Sequence, residues 1–346
     1  MNSFARFACG GENRKYYSGA WIEAEQRFKS ICLFSRFSSM HQTEDPYKYY
    51  GEWLALAEGN RWTRLRRRPF TYVLFQMYDK VVYPVLRQGM VVRCRTFFGA
   101  PMAVSLPAGA SIFLTGGLTH ESEKKLIRYL LHRLTTSDVF VDVGAHYGFY
   151  SLLACHRIAN GTGIRVLAVE PAEEAFAILK KNLQPYPQAR AVQVVSGGCD
   201  GSCSFVEFDT RYSEYNSAQS GRYQGKPWLK KARMAQRQVS CMTLTTLCKQ
   251  YGVLPTLIKV DVEGLESEVI AGGLLLLQSR RPEVILEFHV ATDLQPQYLQ
   301  AEALLRNMGY APYAVSREGN LEAIQDISAW LKASGLDSDN IVFRAT

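Results

Sequence analysis

Two short runs carry residue types and spacings able to do chemistry. In VFVDVGAHYGFYS (139–151), an acid, Asp142, stands two residues before Gly144, and Gly148 follows four residues later. In KVDVEG (259–264), Lys259, Asp261 and Glu263 occupy alternate positions. The first run reads as a strand, a turn and a helix start. Gly144 lets the chain turn sharply, Gly148 permits close approach, and backbone N–H groups at the helix start favour electronegative ligand atoms. The second run reads as the end of an apolar strand. Its three charges share one face there and are costly unless paired or functional.

The spacing separates two ligand classes. A dinucleotide loop has GxGxxG, which brings the backbone against a pyrophosphate. Here the glycines fall as GxxxG behind a carboxylate, which repels a pyrophosphate and suits an ammonium or sulfonium. Glu170 ends the next predicted strand, 22 residues after Gly148, where an acid accepts hydrogen bonds from ribose hydroxyls. With Glu170–Pro171 so placed, the pattern points to S-adenosylmethionine rather than NAD.

The elements that must hold these residues alternate. Strands are predicted at IRVLAVEP, ARAVQVV, TLIKVDVEG and PEVILEFH, with late strands at YAPYAVS and NIVFRA. Helices are predicted at Tyr147–Ile158, AEEAFAILKKNL, TLTTLCKQYG, LESEVIAGGLLLLQ and YLQAEALLRNMG. Such alternation predicts an α/β fold, a mostly parallel seven-stranded sheet with helices on both faces, and ligands at the carboxyl ends of its strands. Upstream, MAVSLPAGASIFLTGG predicts a strand pair turning at Pro107–Gly109, and HESEKKLIRYLLHRL has apolar residues at helical spacing. The expected organisation is a poorly ordered 1–60, a helical and β-hairpin extension over 61–136, and a main domain over 137–346.

FVDVGAHYGFYSLLA, VEPAEEAFAILKKNL, LIKVDVEGLESEVIAGG and EVILEFH together resemble the FkbM family of S-adenosylmethionine-dependent methyltransferases, over about 139–315. The resemblance implies a class I methyltransferase fold and methyl transfer to hydroxyls of sugars or polyketide-type metabolites. It places Asp142, Gly144 and Gly148 in the cofactor loop with Ala145 and His146, and makes Glu170 the ribose-binding acid. Lys259, Asp261, Glu263 and Gly264 match the family's K-x-D-x-E-G block, and Glu287 its next strand-ending acid. It also carries Asp200 over as a contact to the adenine amino group. Two positions depart from the family pattern. His146–Tyr147 stands for Asn and an aliphatic residue, and Thr245, read as a helix cap, stands for Asp.

Transfer to a hydroxyl needs in-line alignment and removal of a proton. Asp261 is the first candidate for base or substrate orienter, and Glu263 the second, with Lys259 pairing to one of them. The plainer alternative is a structural Lys–carboxylate pair. Glu287 and His289 end one strand face, and His289 has a side chain suited to base work near neutral pH. No recognisable metal spacing occurs. The Tyr-, Arg- and Lys-rich insertion 201–239, with Asn216 and Trp228, is expected either to cover the site and select the acceptor or to be a disordered surface loop.

Composition narrows the class. The chain has 346 residues, 47% hydrophobic and 21% charged, which suits a globular protein needing no metal or disulfide to fold. Eight cysteines without a CxxC pair, no signal-peptide core and no long uncharged apolar run suggest a cytoplasmic protein with free thiols. The net charge of +8 is concentrated partly in Arg61, Arg64, Arg66, Arg67 and Arg68. Arg61–Arg93 suits either peripheral contact with a membrane surface or a helix packed on the main domain with its charges in water. A small-molecule or glycan acceptor is expected and nucleic acid is not, since no binding module is present. The alternatives are methylation of a macromolecule and a non-catalytic cofactor-binding scaffold.

Overall fold

A central sheet is built from short apolar strands whose side chains are buried on both faces, the pattern of a parallel sheet covered by helices. The computed structural model describes residues 49–218, 223–289 and 295–346. An antiparallel hairpin, β1 (Met90–Arg95) and β2 (Pro101–Leu106), precedes this sheet. Four parallel-running strands follow: β3 (Phe140–Val143), β4 (Val166–Val169), β5 (Ala189–Val192) and, after an insertion, β9 (Leu257–Val260). The insertion holds β6 (Val195–Ser196), β7 (Gly201–Phe208) and β8 (Met234–Met242), which form their own sheet in the order β6-β8-β7. β10 (Glu283–His289), β11 (Tyr310–Val315), β12 (Leu321–Ala323) and β13 (Ser338–Ala345) complete the main sheet.

The main sheet runs β12-β11-β13-β10-β9-β3-β4-β5. From β3 the chain winds outward to β5, returns to β9 beside β3, and winds the other way. That reversal opens a crevice at the carboxyl ends of β3 and β9. β13 runs antiparallel between β10 and β11. This is the expected class I methyltransferase architecture, with one difference: the sheet has eight strands rather than seven. The added β12 is a three-residue edge strand paired antiparallel to β11. Too short to show a period, it leaves no signal in the sequence.

Other expectations change in detail. The strand predicted after Pro107 is a helix, Ala110–Thr115, and β2 pairs backward with β1. Its Ile112, Phe113 and Leu114 are buried together, which an apolar run of that length does not reveal. LESEVIAGGLLLLQ is two helices, Glu266–Gly272 and Leu274–Arg280, parted at Gly273. The expected poorly ordered segment includes a helix, Tyr50–Glu58, that buries Trp53 and Leu56, with Trp53 stacked on Phe97 at 4.6 Å. Residues 1–48 lie outside the described residues. The insertion is folded rather than loose among its described residues.

Candidate active site

The crevice is a cavity of 440 Å³. One end is the turn after β3. Asp142 is 1% exposed, and its Oδ2 accepts the Ser151 hydroxyl at 2.6 Å. Its Oδ1 is buried with no hydrogen-bond partner among the described residues. Such an oxygen is costly unless a donor arrives from elsewhere. Burial raises the Asp142 pKa, and the Lys259 ammonium opposes the rise. Gly144 has φ +83°, and a Cβ there would lie 1.7 Å from the Asp261 carbonyl oxygen. Glycine at this point therefore lets the turn touch the end of β9.

Several of the turn's N–H groups are satisfied within the protein. Gly144 and Ala145 both donate to the Val169 carbonyl, at 2.9 and 3.0 Å, and Gly148 donates to Ala145 at 2.7 Å. The His146 N–H donates to Glu170 Oε2 at 2.8 Å, and the Ala172 N–H to Oε1 at 2.9 Å. Glu170 thus fixes the turn while its remaining lone pairs face the cavity. Burial lifts its pKa to about 7, and the two backbone donors limit the rise. The His146 side chain packs on Tyr147 and bonds Ser213 at 3.2 Å, and burial lowers its pKa to about 4. It is neutral at pH 7. Pro171, Val194, Val195, Ser196 and Phe205 continue this wall.

The other end is acidic. Register places Lys259 on β9 beside Asp142 on β3. The Lys259 ammonium is 2.8 Å from Asp261 Oδ2 and 5.0 Å from the centre of the Tyr150 ring. It is 2% exposed, so the pair is buried at its cationic end. Burial alone would raise Asp261, but Lys259 holds it below the ordinary carboxylate range. Glu287, hydrogen-bonded to Asp261, is pushed well above that range by burial and by the charges of Asp261, Glu123 and Glu263. Of the two, Asp261 is the stronger acid and Glu287 the weaker. His289 Nε2 is 3.7 Å from Glu287 Oε2.

Glu263 also lines the cavity, and the insertion engages it. It has φ +51°, its Oε2 accepts the Tyr223 hydroxyl at 2.9 Å, and its carbonyl accepts Ser217 at 3.0 Å. It anchors the insertion at the rim. Ser213, Glu214, Tyr215 and Asn216 of the insertion line the cavity. Trp228 does not. It stacks between Tyr212 and Tyr215 at 4.9 and 4.8 Å, so it stabilises the insertion, while Tyr215 also lines the cavity.

Two expected cofactor residues are placed outside the lining. Gly148, φ +86°, caps the helix Phe149–Arg157. Asp200 is spent on another helix: it accepts the Thr243 N–H and the Thr246 hydroxyl, both at 2.7 Å, at the start of Leu244–Gln250. Thr243 is the cap of that helix, while Thr245 bonds the Gly272 carbonyl. The sequence reading also missed two cavity residues. Glu123, from helix Glu121–Arg133, accepts the hydroxyl of Tyr150, and both face Lys259. Burial raises the pKa of each. Both sit at helical positions that read as surface or core, and only packing across the sheet end brings them together. Among the described residues no group of three or more His, Cys, Asp or Glu is arranged to hold a metal ion.

Known proteins resemble this chain in sequence. Residues 142–312 match the model of the methyltransferase FkbM domain. Hexuronic acid methyltransferase AglP of Haloferax volcanii is 29% identical over 177 residues, 49% of this chain and 64% of that protein. The chain therefore spans just under two thirds of the curated relative it matches. Among solved structures, the methyltransferase FkbM of Methylobacillus flagellatus aligns over 68% of this chain and 52% of its own, at 16% identity and TM-score 0.40. An O-methyltransferase of Bacillus cereus aligns over 69% and 86%, at 11% identity and TM-score 0.34. Asp142, the Gly144 turn and the K-x-D-x-E-G block all lie inside the matched residues, and residues 142–312 of this chain form a domain of the FkbM methyltransferase family.

Proposed function

We propose that the protein is an S-adenosylmethionine-dependent O-methyltransferase acting on a hydroxyl of a sugar, glycan or polyketide-like metabolite. The observation that carries this reading is the contact at Gly144. It joins the turn after β3 and the charged end of β9 into one wall, so that cofactor-type and acid–base groups face one cavity. The residues fit the cofactor: the unpartnered Asp142 Oδ1 suits a cationic or N–H donor, the spare lone pairs of Glu170 suit ribose hydroxyls, and Val194, Val195 and Phe205 suit a flat ring. S-adenosylmethionine, when bound, supplies an electrophilic methyl on a sulfonium.

The chain's own residues handle the acceptor. Asp261 is the ionised member of its pair, so it accepts the hydrogen bond of the acceptor hydroxyl and then its proton. Glu287 is protonated, donates to Asp261 and takes no proton itself. Lys259 balances the charge and keeps Asp261 ionised. His289 lies beside Glu287 and lines the same cavity. Glu263 positions the insertion. Alignment of the hydroxyl is worth several kcal/mol and the base about 10²- to 10⁴-fold.

Glu123, Asp261, Glu263 and Glu287 line the acceptor end together with Lys259 and His289. The Haloferax volcanii relative is described as acting on a hexuronic acid, which supports a sugar acceptor. On this reading residues 137–346 are the catalytic domain, and 61–136 is an extension that lends it Glu123. The six described cysteines are free thiols, which suits a reducing cytoplasm.

Calorimetric titration with S-adenosylmethionine, S-adenosylhomocysteine and NAD, then transfer of labelled methyl to a sugar panel, tests this. Binding of both adenosyl ligands but not NAD, followed by label on a hydroxyl, is expected. Folded protein that binds neither adenosyl ligand would overturn the reading.

A further inference from the structure

We infer that the outer face of Arg61–Leu86 docks on an anionic lipid surface. The helix Pro69–Met77 continues through the wider turn Tyr78–Val82 into Tyr83–Leu86. Its apolar residues point the wrong way for core packing. Phe70 is 89% exposed, Val73 48%, Met77 54%, Val81 61% and Val85 73%. Spacings of three, four, four and four residues put them on a single stripe. The opposite side carries Tyr78 and Tyr83, both buried, whose hydroxyls bond the Gln88 carbonyl at 2.6 Å and Asp209 at 2.8 Å. This helix is therefore seated in the protein and still presents an apolar stripe.

The charge beside the stripe selects the occupant. Trp62, 64% exposed, precedes it with Arg61, Arg66 and Arg67, all exposed. Arg64 and Arg68 are committed to the Leu56 carbonyl and to Glu52. Across 59–88 the sole acid is Asp79, and Arg211 neutralises it at 2.7 Å. An apolar stripe with a Trp and arginines and no unpaired carboxylate is complementary to acyl chains under anionic headgroups. No helix among the described residues is long and apolar enough to cross a membrane, so the contact lies in the interfacial plane.

The same helix is tied to the roof of the cavity. Tyr83 bonds Asp209, Arg211 lies 4.6 Å over the Tyr83 ring, and Arg87 bonds the Lys231 carbonyl at 2.9 Å. Asp209 caps the turn Thr210–Tyr215, which supplies Ser213, Glu214 and Tyr215 to the cavity. Docking would therefore hold the acceptor end of the cavity in fixed relation to the lipid. The docking itself stands whether or not the methyl-transfer reading holds.

The test is co-sedimentation of the full chain with phosphatidylcholine vesicles, with and without phosphatidylglycerol, at low and high salt. Binding to the anionic vesicles that weakens with salt is expected. F70S/V85S should lower partition by at least about tenfold. R66E/R67E should lower it about tenfold at low salt. Thermal melts should be unchanged, because these side chains are exposed. Absence of binding to anionic vesicles, or equal binding by both variants, overturns the inference. So does a concentration-dependent dimer lost in F70S/V85S without vesicle binding, which would assign the face to a second copy. Photo-cross-links from position 70 to residues 1–48 without vesicle binding would likewise overturn it, assigning the face to the chain's own start.

Discussion

The two ends of the cavity are built differently. The end we assign to the cofactor comes largely from one continuous stretch, β3, its turn and the following helix, with Glu170 one strand away. The end we assign to the acceptor is assembled from β9, β10, the helix Glu121–Arg133 and the insertion, which lie far apart in the chain. The first end is held by backbone hydrogen bonds and a glycine contact, the second by charge. Local sequence can therefore specify the first, while the second depends on the whole sheet closing correctly. Lys259 links them, lying beside Asp142 in register and bonded to Asp261.

The strongest way to break the contrast is Gly144→Ala, which should disable both ends together. A left-handed φ and a Cβ 1.7 Å from a backbone oxygen leave no local relief. A loss of at least about 3 kcal/mol is expected by denaturant melts, with no cofactor binding by calorimetry. A folded variant that still binds would show the turn and β9 to be independent.

Lys259→Met comes next. It leaves Asp142, Asp261 and Glu123 without their common cation, costing about 3–5 kcal/mol by chemical denaturation. Adding Asp261→Asn should restore part of the loss, and additive losses would deny that the cluster is coupled.

Asp261→Asn alone separates the ends. Methyl transfer should fall about 10²- to 10⁴-fold while cofactor affinity stays within about threefold. An unchanged rate would remove Asp261 as base and turn attention to Glu123 and His289.

The pH dependence of binding sharpens the cofactor end. Glu170 is raised to about 7 by burial, and ribose hydroxyls donating to it would favour its ionised form. Binding should therefore weaken as pH falls below about 7, by up to about tenfold per pH unit, and release a proton near neutrality. Titration in buffers of different ionisation enthalpy reads that proton, and Glu170→Gln should abolish it. The smallest effect is expected from Asp200→Ala. It removes the acceptor of two hydrogen bonds at a helix start, so Tm should drop slightly with cofactor affinity unchanged; a large affinity loss would restore Asp200 to the adenine site.

Several features were legible in the amino-acid sequence. The apolar strands flanking Asp142, the GxxxG spacing, Glu170 at the second strand end and the alternation in KVDVEG follow from local periodicity and fix the fold class. The edge strand β12, the helix Ala110–Thr115 and the backward pairing of β2 were not legible, because short apolar runs suit more than one partner. Asp200 shows the same limit at one residue: a carboxylate near a strand end looks like a ligand contact until a helix start claims both its oxygens.

The sequence alone determined the ingredients: a carboxylate and glycine turn at one strand end, a Lys–Asp–Glu alternation at another, and a basic, aromatic stretch upstream. Only the tertiary structure decided which groups act together. It brought Glu123 and Tyr150 to Lys259, made Asp261 the stronger acid and Glu287 the weaker, joined Glu263 and Trp228 to the insertion, and left the Phe70–Val85 stripe facing outward. The reason is physical. Turn geometry depends on neighbours in the chain, whereas protonation and burial depend on neighbours in space.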